Sequence, residues 1–378
     1  MDKNILKTAY IFIFFKAMGM IVISGALLTV PYLGFFPYRD QLASFHMPRF
    51  ISAMANFDGI HYLLIARNGY SQFEQAFFPL FPLLIKYLTP VFFNNGLIAG
   101  LFLSNFSFLL GLFIIYKATG VKYNLWLLLL IFSYPMSFFF GAVYNEGLFF
   151  LLFLGCLYFL RNKNYPLSAA SAFLAALTRL VGVFLIIPIG IHWIFSRAKK
   201  SLYVIFAPLL GLATYCLYLW QTTGDPLYFL SSQPAFGANR STHLILLPQV
   251  YWRYLKIFVT ANHDFRYFIS VFEFVLFNFV FMILVMDFFK QVKLVKKLGV
   301  KVVNYERLGL NLFSLANIIL PTLTGTLSSV PRYALLSVSF FLYLAEIKSK
   351  WAKIFLALVL LLFHVFMVAY FVQGYFVS

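Results

Sequence analysis

The sequence predicts an all-α polytopic membrane protein made of one domain, residues 1–378, and three observations support this. Hydrophobic residues make up 62% of the chain and aromatic residues 21%. Charged residues make up only 11%, whereas a soluble domain carries about 25%. Apolar runs long enough to cross a bilayer recur along the whole chain. This composition excludes an ordinary cytosolic enzyme and a disordered chain.

The apolar runs define the predicted membrane spans, each of which needs roughly 20 residues at about 1.5 Å rise per residue. Candidate spans occupy residues 8–33, 97–116, 123–140, 146–160, 167–195, 202–220, 268–289, 308–327, 333–347 and 352–377. A further apolar run, 77–93, contains three prolines and a lysine. We expect it to form a short interfacial or re-entrant helix instead of a full crossing.

The stretch 167–195 is long for one span and short for two, and Arg179 lies at its centre. Lys and Arg collect in cytoplasmic loops. If this stretch crosses twice, 18 of the 29 basic residues lie on the side of the N-terminus, including those of the loop 290–307. The charge pattern therefore favours about eleven spans, a cytoplasmic N-terminus, a C-terminus outside and a basic cytoplasmic loop at 290–307.

The formal net charge of +18 could indicate either nucleic-acid binding or membrane topology. The basic loop 290–307 lacks a folded scaffold and interleaved aromatic residues, so contact with anionic lipid explains it better. We predict the membrane bilayer, and no nucleic acid, as its partner. The two cysteines lie in apolar runs, which excludes a disulfide framework and a thiolate zinc site.

Two sizeable segments, 34–95 and 222–266, face the non-cytoplasmic side in this topology. The first contains NFDGIHYLLIARNGY, residues 56–70, which predicts a short helix between a capping Asn56 and a terminating Gly69. Four side chains would share one face of that helix: Asp58, His61, Tyr62 and Ile65. In the first turn the helix dipole favours an ionised Asp58. That carboxylate could accept a proton from a sugar hydroxyl, or it could merely cap an interfacial helix.

The same segment, followed by AFFPLFPLLIKYLTP, resembles the first-loop signature of the GPI mannosyltransferase 2 (PIG-V) family. Further similar motifs follow in order. VYNEGLFFLLFLGCLYFLRNKNYPLSAASAFLAALTRLVGVFLIIPI resembles a span of the family that opens on Tyr-x-Glu. GDPLYFLSSQPAFG and PRYALLSVSFFLYLA resemble a later outer loop and a Pro-Arg-Tyr helix. The matches extend over residues 56–345.

The resemblance implies a GT-C membrane glycosyltransferase. It implies a GT-C-like bundle whose first non-cytoplasmic loop carries short interfacial helices, and a polyprenyl-phosphate sugar, with mannose as the sugar, as the donor. It also implies that Asp58 is the catalytic base. The chain departs from the family at Phe57, where Trp is more frequent, and at Asn145, where Ser is common.

Two further residues are predicted as catalytic. Glu146 begins a span after a tight outer turn. It could cap that helix, or it could help Asp58 to orient an acceptor or a metal. His61 could polarise a donor phosphate or bridge to Asp58, although a single interfacial histidine is more often structural.

Glycosyl transfer also needs cations for the departing phosphate. The predicted substrate- and phosphate-binding residues are Arg179, Arg332, Tyr62 and Arg67. Arg179 and Arg332 lie at span boundaries on the outer side, where phosphate is a natural partner for a guanidinium. They could alternatively snorkel or set topology. Arg67 and Arg240 are less constrained and could instead contact solvent or lipid headgroups.

Metal binding has weak support in the sequence, which has no HExxH, CxxC or DxD motif. Mg²⁺ or Mn²⁺ held between Asp58 and Glu146 is compatible with carboxylate and phosphate ligands. We therefore predict no required cofactor and leave the metal open.

Together these patterns predict a glycosyltransferase that transfers a hexose with inversion to a lipid or glycan acceptor. The enzyme would reside in the cell membrane, or in the endoplasmic reticulum membrane of a eukaryote. The main alternative is a transporter or lipid flippase, which would also contain intramembrane charges and broken helices. A third alternative is an assembly subunit, in which Asp58, Glu146, Arg179 and Arg332 would lie far apart.

Overall fold

The computed structural model describes residues 3–33, 38–196, 199–236, 240–241, 243–298 and 305–377. Within these residues the regular structure is entirely helical, with no β-strand. The predicted all-α class is therefore confirmed. Residues 34–37, 237–239 and 242 of the two predicted outer segments, and 299–304 of the predicted basic loop, lie outside the described residues.

The described residues form eighteen α-helices joined by short 3₁₀ turns. In chain order the α-helices are α1 Lys3–Thr29, α2 Arg39–Ala43, α3 Arg49–Ser52, α4 Asp58–Asn68, α5 Leu80–Leu88, α6 Gly96–Thr119, α7 Leu125–Ser133, α8 Glu146–Arg161, α9 Tyr165–Thr178, α10 Ile186–Ser196, α11 Ala207–Thr223, α12 Tyr228–Ser231, α13 Leu247–Thr260, α14 Phe265–Leu298, α15 Tyr305–Thr322, α16 Val330–Tyr333, α17 Val338–Ala345 and α18 Lys350–Val372. The 3₁₀ segments are Ala53–Ala55, Glu74–Ala76, Thr89–Phe92, Ser137–Phe140, Leu180–Leu185, Lys199–Phe206, Gln233–Phe236 and Ala334–Leu336.

Five helical segments of the described chain are long and apolar enough to cross a membrane. They are Lys3–Thr29, Gly96–Thr119, Leu202–Thr223, Phe265–Lys297 and Lys350–Val372. The other predicted spans correspond to shorter or interrupted helices, such as the nine-residue α7 and the eight-residue α17. The run 77–93 forms the nine-residue α5, which is too short to cross a bilayer.

The distribution of apolar side chains is that of a membrane-embedded protein. Large apolar residues cover the outer surfaces of α1 and α18, where Ile21 is 68% exposed and Phe355 is 71% exposed. Polar residues lie inside, among them Asp287 and Asn311, each fully buried. Exposed apolar surface around a buried polar interior matches a hydrocarbon environment.

α8 forms the centre of the bundle and packs against α6 and α9. Its phenylalanines at 149, 150 and 153 are buried. The close packing depends on glycine, since a Cβ at Gly147 would lie 2.4 Å from the Ser104 carbonyl oxygen of α6. Small residues of this kind let helix backbones approach one another in membrane proteins.

The chain reverses direction at Arg179. α9 ends beside the start of α8, where the Asn145 side chain donates to the Thr178 carbonyl oxygen at 2.8 Å. α10 then runs to the other end of α8, since His192 lies 3.7 Å from Glu306, which also pairs with Arg161 at the last turn of α8. The stretch 167–195 therefore consists of two antiparallel helical segments with a turn at Arg179, and their crossing of the membrane stays a prediction.

The bundle thus has two distinct ends. We call the end that contains Asp58, Glu146, Arg179 and Arg332 the Asp58 end. We call the end that contains Arg161, His192 and Glu306 the Glu306 end. At the Glu306 end, Arg307 of α15 pairs with the buried Asp287 of α14 and ties these two helices together.

Candidate functional site

The Asp58 carboxylate is positioned by a strained turn before α4. Phe57 has φ 58° and ψ −118°, a conformation that ordinary side chains rarely adopt. The Asn56 side chain, predicted as the helix cap, instead donates to the Phe371 carbonyl oxygen at 2.8 Å. Tyr144 donates to the Asn56 carbonyl oxygen, also at 2.8 Å. These two contacts hold the strained turn, so that Asp58 occupies the first turn of α4 as predicted.

Asp58, Arg332, Glu146 and Arg179 form one continuous chain of ion pairs. Arg332 Nη1 donates to Asp58 Oδ2 at 2.6 Å, and Arg332 Nε lies 3.3 Å from Glu146 Oε1. Arg179 Nη1 donates to the same Glu146 oxygen. Four residues taken from distant parts of the sequence are thus in direct contact, in contrast to the scattered arrangement expected of an assembly subunit.

The two carboxylates differ in their access to solvent. The Asp58 side chain is 25% exposed, whereas the Glu146 side chain is 1% exposed. Glu146 Oε2 has no hydrogen-bond partner within the part of the chain that the structure describes. Asp58 can therefore reach a bound molecule, while the buried Glu146 contacts both arginines.

Aromatic rings support both guanidinium groups. Arg179 lies 4.7 Å from the centre of the Tyr333 ring, and Arg332 lies 5.4 Å from that of Tyr144. Such cation–π contacts stabilise a partly desolvated cation by about 1–2 kcal/mol. Since the Arg332 and Arg179 side chains are only 11% and 7% exposed, the rings and the carboxylates together fix their positions.

These groups face a cavity of about 340 Å³ at the Asp58 end. Its polar wall includes Asp58, Tyr62, Asn145, Arg179, Gln233, Arg240, Ser329 and Arg332. Its apolar wall includes Phe77, Phe78, Leu180, Phe229, Leu230, Phe236, Leu244 and Leu320. A cavity with one charged wall and one aromatic and aliphatic wall suits a ligand that has a polar head and an apolar body.

Arg332 controls the ionisation of Asp58. Burial raises the pKa of Asp58, but the charge and hydrogen bond of Arg332 outweigh this, with smaller contributions from Arg240 and His61. The net pKa of Asp58 therefore lies below its usual 3.8. The carboxylate is ionised at neutral pH and can accept a proton or a hydrogen bond.

Tyr62 and Asp58 both line the cavity, in agreement with the prediction that they share one face of α4. Burial raises the pKa of Tyr62 well above its usual value, and the nearby charges of Glu146 and Asp58 raise it further. Its hydroxyl is therefore neutral and can donate a hydrogen bond to a ligand.

His61 and Arg67 occupy other positions on α4. His61 Nδ1 lies 3.2 Å from Glu74 Oε1, and its ring stacks on Phe77 at a centroid distance of 5.2 Å. His61 therefore contacts Glu74, a residue that the sequence analysis did not assign to the site. Arg67 is exposed in the last turn of α4 and does not line the cavity.

The metal site predicted from the sequence lies between the carboxylates of Asp58 and Glu146. Among the described residues, no group of three or more His, Cys, Asp or Glu side chains could hold a metal ion. Arg332 contacts both Asp58 and Glu146, so a cation placed between these two carboxylates would face a guanidinium. Mg²⁺ or Mn²⁺ dependence stays a prediction of the sequence.

The structure also adds residues that the sequence analysis did not assign. Tyr333 and Ser329 line the cavity on either side of Arg332. The Pro-Arg-Tyr motif contains Tyr333 and could have indicated it, whereas nothing in the local sequence indicates Ser329. Arg240 also lines the cavity, although its sequence context favoured contact with solvent or lipid headgroups.

Comparison with known proteins gave no match to a protein-family model, to a curated protein or to a solved structure.

Proposed function

We propose that this protein is a membrane glycosyltransferase of the GT-C type, which transfers a hexose from a polyprenyl-phosphate donor to a lipid or glycan acceptor. The observation that carries the proposal is the direct contact of Asp58 with Arg332 on the wall of one cavity. A base for the acceptor and cations for the leaving phosphate are the two requirements of this chemistry. The resemblance to the GPI mannosyltransferase 2 (PIG-V) family adds mannose as the sugar.

In this proposal the acceptor hydroxyl attacks the anomeric carbon on the face opposite the phosphate. The new glycosidic bond forms as the anomeric C–O bond breaks, and polyprenyl phosphate leaves with the bonding electrons. Asp58 takes the hydroxyl proton. Because attack and departure occur on opposite faces, the anomeric configuration inverts.

Arg332 and Arg179 stabilise the departing phosphate. As negative charge develops on the leaving oxygen, Arg332 can shift its hydrogen bond from Asp58 towards the phosphate. This shift removes the interaction that lowers the pKa of Asp58, so the carboxylate becomes a stronger base as the acceptor loses its proton. Glu146 acts as a positioning residue that holds both arginines.

We further propose that the chain crosses the membrane about eleven times, with the Asp58 end on the non-cytoplasmic face of the cell membrane. The antiparallel arrangement of α9 and α10 about Arg179 supports this topology. It leaves the basic residues of α14 at the end of the bundle opposite Asp58, as the positive-inside rule requires. In a eukaryotic cell the membrane would be that of the endoplasmic reticulum.

The location of the charges favours an enzyme over a transporter. The ion-pair chain lies at one end of α8, whereas a transporter places its functional charges near the bilayer midplane.

The test is transfer by the full-length protein in nanodiscs, supplied in turn with polyprenyl-phosphate mannose, polyprenyl-phosphate glucose and nucleotide sugars. Mass spectrometry of the extracted lipids would detect the glycosylated acceptor. The proposal expects a product with a polyprenyl-phosphate sugar and none with a nucleotide sugar. Transfer from a nucleotide sugar alone would contradict it.

A further inference from the structure

Arg240 differs from the other two arginines of the cavity in its partners. Arg240 Nη1 donates to the Gln233 side-chain oxygen at 2.6 Å, and Nη2 donates to Ser329 Oγ at 3.1 Å. Both partners are neutral. The next residue is anchored through its backbone, since Ser241 N–H donates to the Thr324 carbonyl oxygen at 2.9 Å. Arg240 is therefore held in place without a carboxylate.

Arg240 therefore brings to the cavity a positive charge that no salt bridge balances, with Asp58 and Glu273 within electrostatic range of it. Arg332 pairs with Asp58, and Arg179 pairs with Glu146, so these four charges cancel. Within the described part of the chain, no Asp or Glu forms a salt bridge with Arg240. A guanidinium without a carboxylate, close to a membrane and beside hydroxyl and amide groups, is a natural receptor for an anion.

The part of the cavity near Arg240 also has an apolar rim. Leu230 is 44% exposed and Leu244 is 71% exposed, and both line the cavity. Leu246, two residues further, is 61% exposed. An anion that binds Arg240 and continues over these leucines would need a hydrocarbon tail. A water-soluble anion would leave the rim uncovered.

We propose that Arg240, with Ser329 and Gln233, binds the phosphate of a lipid-linked monophosphate whose hydrocarbon tail leaves the cavity over Leu230 and Leu244. The identification of this lipid as the sugar donor rests on the proposed function; the binding itself does not.

This assignment separates two tasks among the arginines. Arg240 binds the phosphate before reaction, because it is held by the neutral side chains of Gln233 and Ser329 and not by a carboxylate. Arg332 and Arg179 are neutralised in the resting protein and act on the phosphate as it leaves. Loss of Arg240 should therefore raise the donor KM more than it lowers kcat, because it removes an interaction made in the ground state as well as the transition state.

The experiment measures binding of a polyprenyl monophosphate to the full-length protein in phosphatidylcholine nanodiscs, by native mass spectrometry. We expect Arg240→Gln to weaken binding about 10- to 100-fold, the range for loss of one charge-assisted interaction. Arg240→Lys should recover most of this loss, and Ser329→Ala should weaken binding less than Arg240→Gln does. The matched control is Arg266→Gln, since Arg266 is exposed at the start of α14 and does not line the cavity.

Unchanged binding in Arg240→Gln, or equal losses in Arg240→Gln and Arg266→Gln, would overturn the assignment.

A second arm of the experiment adds inorganic phosphate as a competitor. Inorganic phosphate cannot cover the apolar rim. It should therefore displace the bound lipid only at concentrations at least about 100-fold higher than a competing polyprenyl phosphate requires. Equal potency of the two competitors would overturn the lipid assignment.

The same variants distinguish failure of this inference from failure of the proposed function. Transfer by wild type with an unchanged donor KM in Arg240→Gln would refute the role of Arg240 and leave the glycosyltransferase intact. Arg240-dependent lipid binding without transfer from any donor would support the subsite and refute the proposed reaction. A loss of folding in Arg240→Gln would appear as a lower melting temperature, in which case Arg240→Lys and Ser329→Ala decide.

Discussion

At the residue scale, the ionisation of Asp58 depends chiefly on the guanidinium of Arg332. Arg332 donates to one of its two oxygens, and the side chain remains one-quarter exposed to the cavity. Within the described residues Arg332 is the one salt-bridge partner of Asp58, so the second oxygen is available to a hydroxyl. The same contact that keeps Asp58 ionised also restrains its basicity until the phosphate competes for Arg332.

This arrangement predicts the pH dependence of transfer. Because Arg332 lowers the pKa of Asp58, the base is ionised at every pH above the usual value of 3.8. We expect kcat/KM for transfer to show no fall attributable to Asp58 between neutral pH and pH 5. In Arg332→Gln the positive charge that lowers the pKa of Asp58 is lost, and burial then raises this pKa. The acid limb of the pH profile of kcat/KM should therefore move to higher pH. Rates measured in nanodiscs over this range test the shift, and an acid limb at the same pH in both proteins would contradict it.

The lowered pKa of Asp58 also determines whether this carboxylate stabilises or destabilises the fold at a given pH. A carboxyl whose folded-state pKa is depressed stabilises the fold above its unfolded pKa, and this contribution is lost as the pH falls through the folded pKa. The Asp58–Arg332 pair should therefore be fully stabilising at neutral pH and weaken only in strongly acidic solution.

A second prediction compares the two carboxylates. Glu146→Gln should destabilise the protein more than Asp58→Asn, because Glu146 is buried and contacts two arginines whereas Asp58 is partly exposed and contacts one. Breaking a buried ion pair costs about 3–5 kcal/mol, and an exposed pair about 0–1 kcal/mol. Thermal unfolding in detergent, followed by tryptophan fluorescence, measures both. A melting temperature lower in Asp58→Asn than in Glu146→Gln would contradict the prediction.

At the element scale, the reversal between α9 and α10 brings Arg179 to Glu146. The sequence indicated this turn through the charge pattern and through the position of Arg179 at the centre of an apolar run. It could not indicate how tightly the two segments pack. A Cβ at Gly182 would lie 2.6 Å from the Ala175 carbonyl oxygen and from the Ala176 Cα, whereas a Cβ at Gly190 would meet no atom within 4 Å.

These two glycines provide a matched pair of variants. Gly182→Ala should destabilise the protein by about 1–3 kcal/mol and reduce transfer, because backbone must move away from the new methyl group and Arg179 moves with it. Gly190→Ala lies within α10 and should be neutral or stabilising by up to about 1 kcal/mol. The melting temperatures of the two variants in the same detergent test this. Equal melting temperatures would show that the turn is not tightly packed.

Short elements limit what the sequence can predict. The long helices α6 and α18 follow from apolar runs of sufficient length, and the predicted spans 97–116 and 352–377 overlap Gly96–Thr119 and Lys350–Val372. The predicted span 123–140 is instead α7 followed by a 3₁₀ turn, Ser137–Phe140, because Tyr134 has extended dihedral angles that end α7 before Pro135. Tertiary packing decides such breaks, and a hydropathy pattern averaged over many residues does not resolve them.

At the scale of the whole molecule, the site is assembled from residues that are distant in sequence. Asp58 and Arg332 are 274 residues apart, and Arg179 and Glu146 are 33 residues apart. The individual residues could be selected from the sequence by their position near predicted span boundaries and by the resemblance. Their pairing could not, since it depends on how the helices pack. The contact of His61 with Glu74 was missed for the same reason.

The proposed orientation predicts opposite labelling of the two ends of the bundle. Asn162 lies in the turn between α8 and α9 at the Glu306 end, and Asn262 lies before α14; both side chains are exposed. In a Cys216→Ser background, Asn162→Cys should react with a membrane-impermeant maleimide only after the cells are opened. Asn262→Cys should react in intact cells. The native Cys156 is buried in α8 and serves as an internal negative control. The reverse pattern would contradict the proposed orientation.

The most direct test of the central claim is the transfer activity of Asp58→Asn. The substitution keeps the shape of the side chain and removes its capacity to take a proton, so the account predicts a fall of at least about 100-fold in kcat, within the range for loss of a general base. The melting temperature should change little. Asp40→Asn, an exposed acid of α2 that does not line the cavity, is the matched control and should retain full activity. Near-wild-type transfer by folded Asp58→Asn would contradict the account.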